Sequence, residues 1–378
     1  MNVWIEQQKY LIDFTLASLA RRKAKNLGLL LVYALIVFLL ASVMLLTHAL
    51  RQAAAELLAG APEVVLQRMV AGRHDLIPPG YLERIGRLRG VQEKQGRLWG
   101  YYYDPVVRAN YTFMVAEDRL ITPGTLVVGA GLARTRGVAP GNLISFRAYS
   151  GKLFTFSIAD ILPAKSELVS ADLVLLGEAD FRAFFDIPPG HYTDITLRVA
   201  NPLEVRNIAS KLAQQFPDSR PILREEILRT YDSIFSWREG IVLALATLAL
   251  LAFAILAWEK ASGLSADERR EIGILKAIGW DTGDVLRMKF WEGAMLSLSA
   301  FLLGYLAAYL HVFHFSASLL APVLKGWAVL YPRFELSPVI DGLQVTTLFF
   351  FTVFPYAAAT LVPIWRVAIT DPDAVMRG

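Results

Sequence analysis

The feature that most constrains this chain is an apolar run from Leu27 to Leu50 that contains no Asp, Glu, Lys or Arg. About 20 such residues in an α-helix are enough to cross the hydrocarbon core of a bilayer. The apolar core of a cleaved signal peptide is shorter, at about 7–15 residues. The run therefore predicts an uncleaved transmembrane helix over residues 27–50, in a membrane protein.

Three further uncharged apolar runs, 240–258, 293–315 and 342–365, each predict another transmembrane helix. The chain is 55% hydrophobic with a mean hydropathy of +0.42, and the apolar excess lies in these blocks. Spans without Asp, Glu, Lys or Arg argue against a secondary transporter, because such residues normally line its ion or proton route. In the third span, three small residues on one helix face predict close packing, within the chain or between chains: Ala300, Gly304 and Ala308.

Basic residues set the predicted orientation, because short loops rich in Lys and Arg stay on the cytoplasmic side. Segment 1–26 and loop 259–292 are rich in both, whereas loop 316–341 holds only two. We therefore expect 1–26, 259–292 and the tail 366–378 in the cytoplasm. Basic residues beside apolar runs also explain the net charge of +4 without a nucleic acid partner.

Segment 51–239 is then an extracytoplasmic domain, and its patterns predict an α+β fold built from two βαβ halves. The first half comprises a strand at 63–69, a helix opened by Pro78-Pro79-Gly80 and ended by Gly90, and a strand at 91–103. The second comprises a strand at 193–199, a helix from Asn201-Pro202 and a strand at 220–223. Two such halves can pair into one α+β sandwich.

A β-rich insert is predicted between the two halves. Extended runs at 142–147 and 152–158 flank a turn and form a hairpin, and 171–176 is a further strand. An aromatic run precedes the insert: Trp99, Tyr101, Tyr102 and Tyr103. We expect this strand to bury alternate aromatic side chains in its own core, and the alternative is a groove for an apolar ligand.

The segment from Arg224 to Trp258 contains no Pro and only one Gly, Gly240. It predicts one continuous helix whose first half forms a stalk outside the membrane. A helix of this kind is stiff, unlike a linker rich in Gly, Ser or Pro, so it is suited to carry a displacement.

Several kinds of chemistry are excluded or unsupported. The chain has no cysteine, which rules out disulfides and thiolate metal sites. The close pairs His74–Asp75 and His191–Asp194 supply too few ligands for a zinc site, so we expect no metal. No G-x-x-x-x-G-K-[ST] phosphate loop occurs, so we expect no ATP hydrolysis by this chain and assign it no catalytic residue.

The loop after the second span reads ERREIGILKAIGW from Glu268 to Trp280 and predicts a short amphipathic helix with Ile272, Leu275 and Ile278 on one face. This phrase resembles the FtsX/MacB superfamily of ABC transporter permeases, the type VII or mechanotransmission class. Glu292 ahead of the third span, the terminal DPDAVMRG and the basic approach LASLARRKAKN add to the resemblance. The predicted layout is closest to MacB and LolC/LolE.

The resemblance implies a permease dimer in a bacterial inner membrane, with a second copy or a related chain, that binds two cytoplasmic ATPase subunits. ATP and Mg²⁺ would be held by the ATPases, and this chain would need no cofactor. The loop helix would dock on the ATPase, and mechanotransmission would drive work outside the membrane. Only 26 residues precede the first span, so we expect the ATPase to be a separate chain. The implied ATPase contacts are Glu268, Arg269, Arg270, Glu271, Ile272, Gly273, Leu275, Lys276, Ile278 and Gly279.

Three tasks remain open for such a permease: release of lipoproteins or lipids, export through a periplasmic adaptor, or control of a cell-wall hydrolase. The two βαβ halves resemble MacB and LolC/LolE more than FtsX, which ranks export and lipoprotein release first. An alternative of another class is a membrane-anchored regulator or sensor, which needs no ATPase.

The predicted orientation is testable with single cysteines, because the natural chain has none. We expect a cysteine replacing Lys276 in the loop to be protected from an impermeant reagent added to intact cells. A cysteine replacing Ser150 in the external domain should react. Labelling at position 276 from outside would contradict the orientation.

Overall fold

The computed structural model of the protein describes residues 2–86, 88–116, 119–163, 166–230, 266–320 and 336–368, together with residues 240, 244, 245, 247–249, 251, 252, 255, 329 and 330. The chain divides into two units. The helical unit comprises Met1–Ala49, Ser236–Ser318 and Pro338–Gly378, and the α+β unit comprises Leu50–Phe235 and Leu319–Ser337.

In chain order, the described helices are α1 (Asn2–Arg21), α2 (Lys23–Ala59), α3 (Tyr81–Ile85), α4 (Ala130–Arg136), α5 (Glu167–Ser170), α6 (Glu178–Phe185), α7 (Val205–Gln215), α8 (Ala266–Ala277), α9 (Thr282–Tyr309) and α10 (Gly342–Ala368). The strands are β1 (Val64–Val70), β2 (Arg73–Asp75), β3 (Val91–Arg97), β4 (Trp99–Asp104), β5 (Ala109–Val115), β6 (Thr125–Val128), β7 (Leu143–Arg147), β8 (Leu153–Ile161), β9 (Leu173–Leu176), β10 (Asp194–Val199) and β11 (Ser219–Leu223). A π-helical turn, Leu310–His314, extends α9, and residues 224–230 are helical.

Two of the described helices are long and apolar enough to cross a membrane: Lys23–Ala53 within α2, and Thr282–His314, which is α9 with its π-helical extension. A shorter apolar stretch, Gly342–Tyr356, lies in α10. The predicted second span, 240–258, and the predicted stalk over 224–258 lie mostly outside the described residues. The count of four spans therefore stays a prediction.

The helix of the third span begins at Thr282, earlier than the predicted start of the span at Gly293. Asp281 caps it: its Oδ1 accepts from the Asp284 N–H at 2.7 Å, and the Asp284 carboxylate accepts from the Asp281 N–H. Such a reciprocal capping box fixes a helix start. The earlier start brings Lys289 and Glu292 into the helix, where both are buried and joined at 2.6 Å.

The small residues of α9 lie in the interior of the helical unit. Ala300 and Ala308 are fully buried. A Cβ atom on Gly304 would lie 2.5 Å from the carbonyl oxygen of Ala34 and 2.8 Å from Cβ of Val37, both in α2. Only a residue without a side chain allows this approach of α2 and α9.

The α+β unit contains a sheet in the order β11-β1-β10-β3, with all neighbours antiparallel and β2 paired to the free end of β1. Each βαβ half, β1-α3-β3 and β10-α7-β11, therefore has a strand of the other half between its own two strands. This split βαβ arrangement confirms the predicted α+β fold. Apolar side chains of both halves share one core that includes Leu66, Ile85, Leu197, Ile208 and Phe216.

The insert forms a second, six-stranded sheet in the order β4-β5-β9-β6-β8-β7. The predicted hairpin is present as β7 and β8. Its core is aromatic: Tyr102, Phe113, Phe146 and Phe184 pack with ring centroids 5.1–5.6 Å apart. On β4 the expected alternation holds, because Tyr102 is buried whereas Tyr101 and Tyr103 are exposed.

Two element boundaries in the first half differ from the prediction. The predicted strand over 91–103 is two strands in different sheets, β3 and β4, separated at Leu98, whose side chain is buried in the insert core. Thr193 fixes the point where the chain passes from β3 to β4. Its Oγ1 accepts from the Trp99 N–H at 3.1 Å and donates to the Trp99 carbonyl at 2.9 Å. The helix predicted to reach Gly90 ends at Ile85, because Gly86 follows it and a turn closes from Leu88 N–H to the Ile85 carbonyl.

One carboxylate joins three elements of the split βαβ sheet. Asp218, just before β11, accepts from the Tyr81 hydroxyl at 2.6 Å and from Arg68 Nε at 2.8 Å. These two hydrogen bonds hold the pKa of Asp218 below its ordinary value. A carboxyl group with a depressed folded-state pKa stabilises the fold above its unfolded pKa, and this contribution is lost as pH falls through the folded pKa.

We therefore expect Asp218→Asn to destabilise the chain at neutral pH. This penalty should begin to shrink near the unfolded carboxyl pKa of about 4 and disappear as the pH falls through the lower folded pKa. Thermal unfolding between pH 7 and pH 2.5 measures this. Asp75→Asn is the control, since Asp75 contacts the same Arg68 at 3.2 Å from a more exposed position. An equal penalty for D218N at both ends of the pH range would contradict the assignment.

Candidate functional site

The loop helix of the sequence prediction is α8, and its side chains divide between two faces. Ile272, Gly273 and Leu275 are buried on the inner face. Arg270, Ile274, Ala277 and Ile278 are exposed, at the i, i+4, i+7 and i+8 spacing of a single helix face. The side chains of Glu268 and Arg269 lie outside the described residues. We call Arg270, Ile274, Ala277 and Ile278 the outer row.

Two backbone hydrogen bonds define the end of α8. The Gly279 N–H donates to the Lys276 carbonyl and the Trp280 N–H donates to the Leu275 carbonyl, at 3.1 and 3.0 Å. This is a Schellman motif, and Gly279 supplies its left-handed residue with φ +104°. The expectation that Ile278 shares a face with Ile272 and Leu275 is wrong, because Ile278 lies one turn after the exposed Ile274 and its N–H donates to the Ile274 carbonyl at 3.1 Å. The helix stops at Ala277, and Ile278 is 69% exposed.

An apolar cluster supports α8 from behind. Leu275 of α8 packs with Leu11 of α1 and Met288 of α9, and three aromatic side chains surround them: Phe14, Trp280 and Trp291. The ring centroids of Phe14 and Trp280 are 5.6 Å apart. The indole N–H of Trp291 donates to Gln8 Oε1 at 2.9 Å, which fixes α1 against α9. We call this group the inner cluster.

Glu271 pairs within the chain. Its Oε1 accepts from Arg21 Nη2 at 2.6 Å and its Oε2 from Arg22 Nη2 at 2.8 Å. The carboxylate predicted as an ATPase contact is thus held by the α1–α2 junction. Lys276 is half-buried, so among the predicted charged contacts whose side chains are described, Arg270 is the exposed one.

The sequence prediction used segment 1–26 only for its charge and missed its structural role. The signal was present: Leu11, Thr15 and Ser18 are buried at i, i+4 and i+7 spacing, as expected for a helix with one packed face. That α1 packs against α8 and α9 could not be derived from this pattern.

Within the described residues, no group of three or more His, Asp or Glu side chains is placed to hold a metal ion. Among the described apolar helices, α9 contains a buried ion pair, Lys289–Glu292. Each of these charges has its counterion at 2.6 Å, which offsets the cost of burying it.

Comparison with known proteins gives one family match. Residues 240–372 match a family model described as FtsX-like permease C-terminal. The match includes α8, α9 and α10, and it confirms the resemblance of this chain to the FtsX/MacB superfamily. No curated protein matches the chain significantly.

Among solved structures, a similar one is the extracellular domain of the noncanonic ABC-type transporter YknZ from Gram-positive bacteria. It is 8% identical, and the match covers 42% of this chain and 99% of that domain with a TM-score of 0.29. A TM-score of this size does not establish a shared fold.

The Schellman motif yields a matched pair of substitutions. A Cβ atom at Gly279 or at Gly28 in α2 would meet nothing within 4 Å, so the two sites differ in backbone conformation rather than in space. We expect Gly279→Ala to cost about 1–2 kcal/mol, because an L-residue is strained at positive φ. Gly28→Ala should be neutral or stabilising by up to about 1 kcal/mol, as for glycine inside a helix.

Unfolding of the full chain in detergent, followed by circular dichroism, measures both. Equal stability of G279A and G28A would contradict the assigned role of Gly279.

Proposed function

We propose that this chain is the permease subunit of an ABC transporter in which α8 is the docking helix for a separate cytoplasmic ATPase. The family match over residues 240–372 supports a transporter permease of the FtsX type. The observation that carries the docking assignment is the outer row of α8, which is exposed although its helix is firmly packed from behind.

The outer row has the composition of a protein-binding surface. Ile274 and Ile278 are 50% and 69% exposed, and Arg270 extends the row by one turn. Isolated exposed aliphatic residues are ordinary, but two on one helix face beside an arginine form a small apolar centre with a polar rim. The complementary surface of the ATPase is then an apolar groove with a carboxylate positioned for Arg270.

The support behind the outer row makes it suited to transmit force. The inner cluster holds α8 against α1 and α9. Only a short link joins the Schellman motif at the end of α8 to the capping box that starts α9. A push on the outer row is therefore carried into α9 with little slack, because both ends of the link are hydrogen-bonded.

The remainder of the mechanism follows the family resemblance. Closure of two ATPases on ATP would move two such docking helices, one in each permease of a dimer. The movement would perform work on the outer side by mechanotransmission, with no substrate passing through a pore in this chain. Export through an adaptor or release of a lipoprotein or lipid is the proposed class of work.

The docking assignment is tested by Ile274→Asn and Ile278→Asn. Each removes an aliphatic side chain from the interface, and we expect the ATPase affinity to fall about tenfold per substitution, since burying such a side chain is worth about 1.5 kcal/mol or more. The measurement is the affinity of the purified chain in nanodiscs for the Walker-A subunit that co-purifies with it.

Leu203→Asn is the control, because Leu203 is an equally apolar and more exposed side chain that lies in the α+β unit. Unchanged ATPase affinity in I274N and I278N, or an equal loss in L203N, would refute docking through the outer row. A wild-type chain that retains no Walker-A subunit would favour the sensor alternative.

A further inference from the structure

A single carboxylate of α8 is attached to the point where the first span begins. Arg21 is the last residue of α1, Arg22 lies between the helices, and α2 starts at Lys23. Both arginines donate to Glu271, with one guanidinium on each carboxylate oxygen. We call Arg21, Arg22 and Glu271 the junction triad.

The triad is partly sheltered. The side chains of Glu271 and Arg22 are each 23% exposed, whereas that of Arg21 is 56% exposed. Hydrogen bonds between ionised partners are shorter and stronger than neutral ones, and shelter from water reduces their screening. The Arg22–Glu271 arm is therefore the stronger of the two, and the Arg21 arm is weakened by solvent.

The junction that receives the triad is itself rigid. The Asn26 N–H donates to the Arg22 carbonyl at 3.1 Å, and its side-chain amide donates back to the Leu19 carbonyl at 3.1 Å. The Arg21 guanidinium also lies 5.7 Å from the centre of the Phe14 ring. A displacement of Glu271 is thus not absorbed by a loose turn between α1 and α2.

The contacts of α8 with its neighbours differ in kind. Those of the inner cluster are apolar and non-directional, so they resist separation of the helices but permit sliding. The junction triad is directional, because each guanidinium–carboxylate bond has a preferred geometry. It forms an ionic link from α8 to the start of α2.

We propose that Glu271 is a positioning residue that ties the docking helix to the first span, so that ATP-driven movement of α8 reaches α2 through the junction triad in parallel with the covalent route into α9. This inference rests on the proposed function, since it takes α8 as the docking helix. It assigns Glu271 to coupling within the permease rather than to the ATPase surface.

Spin labels can follow the first span directly, because the chain has no cysteine of its own. One label replaces Leu35 on α2 and the other replaces Phe354 on α10, both at exposed positions of the helical unit. The sample is the chain in nanodiscs with the Walker-A ATPase that co-purifies with it, without nucleotide or trapped with Mg-ATP and vanadate. The distance distribution between the labels and the ATPase affinity are both measured.

In the unmodified triad, trapping should shift the distance between α2 and α10. In Glu271→Gln and in Arg22→Glu, we expect the shifted population to fall about fivefold, the effect of losing a partly exposed ion pair, while ATPase affinity stays within about twofold. The charge-swapped double variant R22E with E271R keeps one carboxylate and two guanidinium groups, and it should restore the shift. Arg287→Ala is the control, because Arg287 forms an exposed pair with Asp284 in the first turn of α9.

The outcomes separate this inference from the proposed function. A normal α2 shift in E271Q, no rescue by the double variant, or an equal loss in R287A would overturn the role of the triad while leaving ATPase docking intact. A large loss of ATPase affinity in E271Q would return Glu271 to the docking surface and also overturn it. No ATPase binding by the wild-type chain would overturn both.

Discussion

The packing of α1 against α8 and α9 is the interaction on which the proposed site depends. Leu11, Leu275 and Met288 exclude water between three helices, and the aromatic side chains around them close the gaps. Burial of this kind is non-directional and scales with apolar area, so it sets which face of α8 points inward but resists sliding only weakly. The position of α8 along its neighbours is set by polar contacts at its margins: the Schellman motif at one end and Glu271 on one side.

These two kinds of contact together decide what α8 presents to its surroundings. Because Ile272 and Leu275 face inward, the helix period places Arg270, Ile274 and Ala277 outward. Ile278, whose N–H still donates to the Ile274 carbonyl, lies on the same outer side, and the left-handed Gly279 follows it directly. A short helix of ordinary composition thus becomes a supported surface, and its attachment to α9 and to the start of α2 gives that surface two connections to the apolar helices.

Local patterns predicted the elements whose signals are local. The run from Leu27 identified α2, and the alternating residues from Thr193 identified β10. Strand β5 was missed although Ala109, Tyr111 and Phe113 alternate, and α4 was missed because its seven residues are too short to show a helical period. Residues 91–103 were predicted as a single strand because nothing in their sequence marks Leu98 as the point where the chain passes from one sheet to the other.

The candidate docking site was likewise predictable only where its signal is local. The loop phrase located α8, but which of its charges face outward depends on a contact between Glu271 and residues about 250 positions earlier. No periodicity within either segment encodes that pairing, so Arg270 and Glu271 were indistinguishable in the sequence. The inward side of α1 was visible as a pattern, but its partner was not.

The passage of one extended segment from β3 to β4 has a consequence for how the insert can vary. Side chains on successive residues of an extended chain point to opposite sides, so adding or removing one residue near Leu98 would reverse every later side chain of β4. Tyr102 and Asp104 would turn out to water, while Tyr101 and Tyr103 would be forced into the aromatic core. Surface loops generally tolerate added residues. The length of the link between β3 and β4 is fixed, because it determines which side chains of β4 face the insert core.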